Sequence, residues 1–289
     1  PKAAATYAKG LGRSVVKADG LASGKGVWVC DTPEKAETAS RLCWDMYPER
    51  PIVVQEFLEG REVSVFAFTD GYDISPLVAA CDYKRLKDGN KGPNTGGMGS
   101  YSWPSFWDRD LEAWTELFVM KPAVRMLDYL GFPFCGVLYA GLMLTAEGPK
   151  VLEFNARFGD PEAQVILPLL QGDLVEIMQA CVAGELRKAS VSWRRDLFSV
   201  GVVMASAGYP GKHEQGRVVF GLGKDQEDSM VLHGATRQEG ERVLTDSTSG
   251  RVLTVVGTGG SLAQARKAAY GRVETLGFEG AFWRQDIAS

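Results

Sequence analysis

The segment VVKADGLASGKGVWVC at residues 15–30 constrains the fold most, because two short apolar runs flank a glycine-rich turn. Lys17 lies in the first run and Lys25 lies in the turn. Glycines let backbone N–H groups approach a phosphate, and a lysine adds positive charge. The P-loop motif G-x-x-x-x-G-K-[ST] is excluded because only three residues separate Gly20 from Gly24, and Lys25 precedes Gly26. The segment predicts a β-hairpin that covers a nucleotide; an ordinary turn with two solvated lysines is the alternative.

Composition excludes several classes of protein. A net charge of -4 argues against nucleic-acid binding through bulk positive charge. The five cysteines have no C-x-x-C spacing, so the sequence predicts neither a disulfide framework nor a zinc site, and a reducing cytoplasm is the expected location. The apolar stretch at 134–144 is too short to span a membrane. The chain opens at Pro1 within a helix-like stretch, so we expect an upstream segment to be missing.

Only two histidines, His213 and His233, are present, and both lie outside the glycine-rich loops. No nucleophile elbow or H-E-x-x-H motif occurs either. Carboxylates, lysines, arginines and backbone amides must therefore carry any catalysis.

Glu153 and Asn155 stand two apart in VLEFNARFGDPEAQ, which predicts that both side chains leave the same face of a strand. A carboxylate and an amide oxygen suit Mg²⁺, whose coordination shell phosphate oxygens would complete. The alternative is a strand end with two solvated polar residues. Arg157 and Asp160 continue this polar run toward a predicted helix, which favours a functional site.

A second glycine-rich segment, GPNTGGMG at 92–99, follows Asp82, Lys84 and Arg85. Its four glycines free backbone N–H groups to bind anions, and the nearby cations add charge. Residues 84–104 show no hydrophobic period, so we predict a long loop without regular structure, and loops of this length are usually functional or disordered. A flexible surface loop is the alternative.

The strand end QEFL at 55–58 precedes Glu62 by a few residues. The backbone of such a strand end can hydrogen-bond an adenine, and Glu62 can reach ribose hydroxyls. Solvated strand-end residues are an equally good interpretation of the spacing alone.

In this order these segments resemble the ATP-grasp superfamily and, within it, the glycinamide ribonucleotide synthetase family. The resemblance covers essentially the whole chain and is carried by VVKADGLASGKG, QEFLEGREVS, DYKRLKDGNKGPNTGGMGSYS, GVLYAGLML and KVLEFNARFGDPEAQ. It implies an α+β ATP-grasp fold. The implied parts are a lid subdomain at 1–57 that is incomplete at its N-terminus, a central mixed α/β subdomain at 58–194, and a C-terminal α+β domain at 195–289.

The resemblance also implies an ATP-dependent carbon–nitrogen ligase of de novo purine biosynthesis. Glycine would be phosphorylated by ATP to glycyl phosphate, and 5-phosphoribosylamine would attack this intermediate to give glycinamide ribonucleotide, ADP and phosphate. The implied cofactors are ATP and Mg²⁺, with Mn²⁺ as the alternative metal. The implied partners are these small molecules, with neither nucleic acid nor membrane, and the full-length form is expected to be a monomer.

Residue roles carry over from the family onto matching positions. The nucleotide would contact phosphate-binding lysines, an adenine-lining strand end, a ribose ligand and a loop asparagine: Lys17, Lys25, Gln55, Glu56, Phe57, Leu58, Glu62 and Asn94. The metal would be bound by Glu153 and Asn155. The implied catalytic residues are Arg157, Lys25 and Asp160, with Arg157 steadying the transferred phosphate.

Two positions depart from the family pattern, since Tyr83 stands where His is usual and Gln55 stands where an acidic residue is frequent. The family's N-terminal domain, which contributes to phosphoribosylamine binding, is absent, so we expect the chain alone to form little product.

Three alternative functions stay open. One is an ATP-binding fragment without catalysis, and another is an ATP-grasp ligase for a different carboxylate. The third is a dinucleotide-binding domain at VLTVVGTGGSLAQA, although this segment lacks the full G-x-G-x-x-G pattern and an ordinary strand-to-helix turn is favoured.

Overall fold

A computed structural model describes residues 2–20, 26–48, 50–223 and 226–289. The chain divides into two compact units. The first extends to Arg61 and includes Thr145–Gly148, and the second comprises Glu62–Leu144 and Pro149–Ser289. This division does not test the domain boundaries predicted at 57/58 and 194/195, which remain predictions.

The first unit is a three-stranded antiparallel sheet with two helices. Its elements are α1 (Lys2–Leu11), β1 (Ser14–Ala18), β2 (Val27–Cys30), α2 (Pro33–Met46) and β3 (Ile52–Glu56). β1 is the central strand and pairs antiparallel with both β2 and β3. The pairing of Val15 with Val29 confirms that the two apolar runs form a hairpin.

The pair Thr32-Pro33 predicts the start of a helix that extends to about Met46, and helix α2 begins there. The Thr32 hydroxyl accepts a hydrogen bond from the backbone N–H of Lys35 at 3.4 Å, and Pro33 occupies the first turn. One face of the helix is buried, through Ala36, Ala39, Ser40 and Cys43. This spacing is that of an amphipathic helix packed on a sheet.

An eight-stranded sheet dominates the second unit, accompanied by three two-stranded sheets. The strands that follow β3 are β4 (Arg61–Asp70), β5 (Val78–Asp82), β6 (Arg85–Lys87), β7 (Lys91–Asn94), β8 (Gly99–Ser102), β9 (Cys135–Thr145), β10 (Gly148–Asn155), β11 (Leu170–Gln171), β12 (Ser192–Trp193), β13 (Phe198–Ala205), β14 (Ser229–His233), β15 (Thr236–Glu239), β16 (Arg242–Thr245) and β17 (Arg251–Gly259). The large sheet has the order β10-β9-β4-β5-β8-β13-β17-β14.

Helices cover this sheet and bury two apolar cores against it. They are α3 (Arg109–Thr115), α4 (Lys121–Tyr129), α5 (Glu162–Ile166), α6 (Leu174–Ala183) and α7 (Leu262–Val273). The sequence predicts a helical region from about 106 to 130, and α3 and α4, joined by a π-helical segment, confirm it. None of the helices in the described part of the chain has the length and apolarity needed to cross a membrane.

Glycines permit a close junction between β8 and β13. The two strands pair antiparallel, with Gly201 opposite Ser100. A Cβ atom at Gly99 would lie 2.6 Å from the carbonyl oxygen of Gly201, and one at Gly201 would lie 2.9 Å from Cγ1 of Val165. Since both approaches are shorter than side chains tolerate, glycine is required at Gly99 where β8 meets β13, and at Gly201 where α5 packs on β13.

The prediction of an irregular loop at 84–104 was wrong. This region contains the β6–β7 hairpin and β8, with Gly89 and Asn90 at φ 65° and 54° in the hairpin turn. Glycine and asparagine tolerate this left-handed conformation. The strands escaped prediction because every residue of β7 is exposed, which removes the alternation of buried and exposed residues that marks a strand.

The VLTVVGTGGSLAQA segment forms β17 followed by α7, whose N-terminus is capped when the Ser261 hydroxyl accepts from the Gln264 N–H at 3.3 Å. Helix α7 packs directly on β17 at Gly257. A Cβ atom at Gly257 would lie 2.2 Å from the backbone nitrogen of Ala269 and 2.3 Å from the carbonyl oxygen of Ala265. The turn therefore serves close packing of a helix on a strand.

We predict that Gly257→Ala lowers the free energy of unfolding by about 3 kcal/mol, because the added methyl group must displace the backbone of α7. Gly271→Ala is the matched control, since a Cβ there meets nothing within 4 Å and Ala favours a helix by up to about 1 kcal/mol. Urea unfolding of both variants measures the difference. Equal stability of the two variants would contradict the close packing.

Candidate active site

One of the two predicted phosphate-binding lysines, Lys17, belongs to the hairpin of the first unit. Lys17 lies on β1, where it is half-buried and pairs with Val27 on one side and Val53 on the other. Its position on the central strand fixes its backbone. Lys25 lies outside the described residues, so its role stays a prediction.

The predicted adenine-lining residues follow the end of β3. Gln55 pairs with Val15 across the sheet and is half-buried, whereas Glu56 is exposed. Phe57 and Leu58 come directly after the strand and are half-buried. The Arg13 guanidinium lies 3.9 Å from the centroid of the Phe57 ring, a cation–π contact that holds this aromatic ring.

Strand β10 carries the predicted metal ligands. Glu153 is exposed and Asn155 is half-buried, and strand alternation places both on one face. Gly141 on the neighbouring strand β9 lies beside Glu153, since a Cβ atom there would make an ordinary contact of 3.5 Å with the Glu153 Cγ. Within the described residues no hydrogen bond or ion pair engages the Glu153 carboxylate. These oxygens therefore remain available to a cation.

The two ligands fit a hard divalent cation whose remaining ligands are phosphates and water. No group of three His, Cys, Asp or Glu side chains able to hold a metal is found among the described residues. This donor set suits a metal that arrives with a phosphate ligand rather than one bound by the protein alone.

Past β10 the polar run contains the predicted catalytic residues. Arg157 is exposed, and its Nη1 donates to the carbonyl oxygen of Phe158 at 2.7 Å. The Asp160 carboxylate pairs with Arg251 Nη2 at 2.8 Å and accepts from Gln164 Nε2 at 2.8 Å. Asp160 is thus held by two neighbours, while its catalytic role remains a prediction.

Arg251 and Tyr209 connect the glycine-rich loop to this run. Arg251 Nη1 donates to the carbonyl oxygens of Gly96 at 2.8 Å and of Asp160 at 2.9 Å. The N–H of Gly96 donates to the Tyr209 hydroxyl at 3.0 Å. Gly97 packs on Pro161 so closely that a Cβ atom would lie 2.4 Å from Cδ of the proline. The glycine-rich loop and the polar run after β10 are therefore held together by residues from the C-terminal third of the chain.

A charged cluster that the sequence did not reveal lies beside the loop. Lys84 forms an ion pair with Glu62 and lies 3.7 Å from Asp82. Glu62, the predicted ribose ligand, is therefore already in contact with a lysine. Thr95, next to Asn94, donates to the Lys84 carbonyl oxygen through its N–H at 2.7 Å. Asn94 itself is exposed at the end of β7.

Burial is the largest influence on Asp82 and raises its pKa to about 7, with repulsion from Glu162 and Glu62 adding to it and Lys84 opposing it. Burial also disfavours the charged form of Lys84, but attraction by Asp82 and Glu62 outweighs this cost and raises the Lys84 pKa above its usual value. Lys84 therefore remains a cation throughout the physiological pH range.

Glu162 completes the cluster at the start of α5. Its buried carboxylate accepts hydrogen bonds from the hydroxyls of Tyr139 at 3.1 Å and Ser64 at 3.2 Å. These two hydroxyls also lie 2.7 Å apart. Burial raises the pKa of Tyr139 above its usual value, so its hydroxyl keeps the proton it donates. The sequence offered one signal for this buried cluster, namely polar residues within apolar strands, such as Ser64 on β4.

Two family models match the chain in order. The ATP-grasp (A) domain of phosphoribosylglycinamide synthetase matches residues 1–163, and the C domain of the same synthetase matches residues 199–289. The fold and the matched domain define an ATP-grasp protein. A biotin carboxylase domain from Hydrogenobacter thermophilus shares this fold at a TM-score of 0.71 and 14% identity, covering 97% of this chain and 61% of that one. The chain belongs to the phosphoribosylglycinamide synthetase family.

Named relatives agree with this membership. The phosphoribosylamine–glycine ligase of Halalkalibacterium halodurans is 44% identical over 95% of this chain and 64% of its own length. The trifunctional purine biosynthetic protein adenosine-3 of Gallus gallus is 45% identical over 99% of this chain and 29% of its own length. The Thermotoga maritima ligase structure has a TM-score of 0.79 and 36% identity, covering 95% of this chain and 68% of that one. The chain spans just under two thirds of the curated ligases it matches.

We predict that Tyr139→Phe lowers the free energy of unfolding by about 1–3 kcal/mol, because the buried Glu162 carboxylate loses one of its two hydroxyl donors. Tyr72→Phe is the control, since Tyr72 is 65% exposed and surface substitutions usually cost less than about 0.5 kcal/mol. Urea denaturation measures both. Indistinguishable unfolding free energies would show that the buried hydrogen bond contributes nothing.

Proposed function

We propose that this chain supplies the ATP-grasp and C-terminal parts of an ATP-dependent ligase that joins glycine to 5-phosphoribosylamine. The observation that carries the proposal is the match of both synthetase domain families, in order, along one chain. The relatives named phosphoribosylamine–glycine ligase support the same substrates.

The nucleotide-binding roles are assigned residue by residue from the family resemblance. Lys17 and Lys25 bind phosphates, the strand end Gln55–Leu58 lines the adenine, Glu62 binds ribose and Asn94 contacts the nucleotide. The position of Lys17 on a central strand supports a fixed phosphate ligand. The cation–π contact at Phe57 supports a preformed aromatic wall, because it holds the ring without a ligand.

Glu153 and Asn155 would hold a divalent cation, Mg²⁺ or Mn²⁺, together with phosphate oxygens of ATP. The cation would neutralise charge on the transferring phosphoryl group. The open carboxylate of Glu153 and the half-buried amide of Asn155 on one strand face support this assignment.

Lys84 stays positively charged when the pH varies near neutrality, since its two carboxylate neighbours keep it protonated. We assign it to the phosphate end of the nucleotide, where it would add to the positive charge of Arg157. Asp82 and Glu62 would orient its ammonium group, and Glu162 would keep Asp82 in a negatively charged surrounding. Asp160, through Arg251, would hold the glycine-rich loop in place.

In the proposed reaction a carboxylate oxygen of glycine attacks the γ-phosphorus and ADP leaves. The amine of 5-phosphoribosylamine then attacks the carbonyl carbon of glycyl phosphate, loses a proton and expels phosphate. No protein nucleophile is required, so the residues act by positioning and by neutralising charge.

A second candidate is an ATP-binding fragment that performs no reaction alone. It is favoured by length, since the chain spans 64% of the H. halodurans ligase. In either case the partners are proposed to be small molecules, and the monomeric state and cytoplasmic location stay predictions.

We predict that Glu153→Gln removes most of the metal-dependent part of ATP affinity and weakens binding in MgCl₂ about tenfold or more, because a neutral amide is a poor ligand for Mg²⁺. Glu176→Gln, an exposed change on α6, is the matched control. Calorimetry with ATP in MgCl₂ and in EDTA measures the effect. A Glu153→Gln protein with an unchanged response to Mg²⁺ would refute the metal assignment.

We predict that the chain binds Mg²⁺ and ATP but forms little glycinamide ribonucleotide, and that a version extended at its N-terminus to the length of the ligases forms it readily. When part of the binding site for one reactant is missing, turnover falls far more than the affinity for the nucleotide does. The assay uses ATP, glycine and freshly prepared 5-phosphoribosylamine. Full activity of the short chain would show that the amine site was misplaced, and no ATP binding by either version would overturn the ligase proposal.

A further inference from the structure

The Arg284 guanidinium is buried to 1% exposure, yet it is surrounded by polar partners. Its Nε and Nη2 donate to the two carboxylate oxygens of Asp286 at 2.7 and 2.6 Å. Arginine paired in this bidentate way is held in one orientation. Asp286 thereby aims the remaining Arg284 donor at a neighbouring segment.

That segment is the region from Tyr83 through the β6–β7 hairpin. Arg284 Nη1 donates to the Arg85 carbonyl oxygen at 2.9 Å and to Asn90 Oδ1 at 3.1 Å. The guanidinium carbon lies 4.7 Å from the centroid of the Tyr83 ring. Movement of the hairpin away from Arg284 would leave a buried charge without these partners, which is unfavourable.

Three further hydrogen bonds join residues 284–288, which we name the clamp segment, to the same region. The Ala288 N–H donates to the Tyr83 hydroxyl at 2.9 Å. The Gly89 N–H donates to Asp286 Oδ2 at 2.8 Å, and the Gln285 N–H donates to Asp88 Oδ1 at 2.9 Å. The clamp segment therefore contacts both the base and the turn of the hairpin.

Helix α7 holds the clamp segment independently of the hairpin. The Tyr270 hydroxyl donates to the Arg284 carbonyl oxygen at 2.8 Å and accepts from the Ile287 N–H at 3.1 Å. Arg266 donates to the carbonyl oxygens of Gln285 at 2.7 Å and Ile287 at 3.0 Å. The clamp segment is thus anchored on α7, a packed helix, and can support the hairpin.

The hairpin needs such support because its own strands cannot supply it. β6 has three residues and β7 has four, all of β7 being exposed. An isolated two-stranded hairpin is marginally stable at best in water. Lys84 precedes β6 directly and Asn94 ends β7, so the hairpin sets the backbone position of both residues, while Glu62 and Asp82 contact the Lys84 ammonium group.

We propose that the clamp segment positions Lys84 and Asn94 for the phosphates of the nucleotide, with Arg284 and Tyr83 as positioning residues. This inference rests on the proposed nucleotide site. It also gives Tyr83 a role, since its hydroxyl accepts the Ala288 N–H and its ring lies against the Arg284 guanidinium.

The test uses Tyr83→Phe, which keeps the ring and removes the acceptor for Ala288, and Asp286→Asn, which removes the charge that orients Arg284. Tyr129→Phe is the matched control because Tyr129 is 85% exposed. Each protein is measured by thermal unfolding, by hydrogen exchange of residues 85–94, and by calorimetry with ATP and with AMP.

We expect both variants to remain folded and exchange in residues 85–94 to rise about tenfold. ATP affinity should fall about fivefold, the loss expected for one hydrogen bond, with AMP affinity changed less than about twofold. A folded Tyr83→Phe protein with unchanged exchange in the hairpin would overturn the clamp, as would equal loss of ATP and AMP affinity.

The exchange measurement requires no nucleotide. If the unmodified chain binds no ATP, the proposed function fails, but a rise in exchange of residues 85–94 in the variants would still support the clamp, and unchanged exchange in a folded Tyr83→Phe protein would still overturn it.

Discussion

The antiparallel junction of β8 with β13 is the constraint on which the rest of the second unit depends. It brings Gly99 so close to the carbonyl oxygen of Gly201 that no residue with a Cβ atom fits in place of Gly99. Because β13 then pairs with β17, one sheet extends through strands from both matched family regions. The loops that carry the candidate site residues of this unit extend from strands of that sheet or lie beside it.

Residues of the C-terminal third consequently act on segments far away in sequence. Arg251 holds Gly96 and Asp160, and Arg284 holds the β6–β7 hairpin. Neither arginine belongs to a recognisable nucleotide-binding motif. The C-terminal region is therefore part of the support for the glycine-rich loop, in addition to forming its own apolar core around α7.

Lys84 contacts two carboxylates, Glu62 and Asp82, and is also attracted by the charge of Glu162. Asp82 and Glu62 keep the lysine protonated, while Glu162 is satisfied by the hydroxyls of Tyr139 and Ser64. The hydrogen bonds and ion pairs of this cluster hold charges in a partly buried place. Stability alone does not require such an arrangement. Such arrangements are typical of sites that handle charged ligands.

Local sequence determined the elements with a hydrophobic period or a capping residue. It predicted the β1–β2 hairpin, helix α2 with its Thr32 cap, and Glu153 and Asn155 on one strand face, because alternation and capping act over a few residues. Tertiary structure alone decided the β6–β7 hairpin, the partners of Lys84 and the burial of Arg284. The hairpin is exposed throughout β7, and the bond from Arg284 to Arg85 spans 199 positions. Contacts at that separation leave no periodic trace in the sequence, since they depend on which distant segments the sheet brings together.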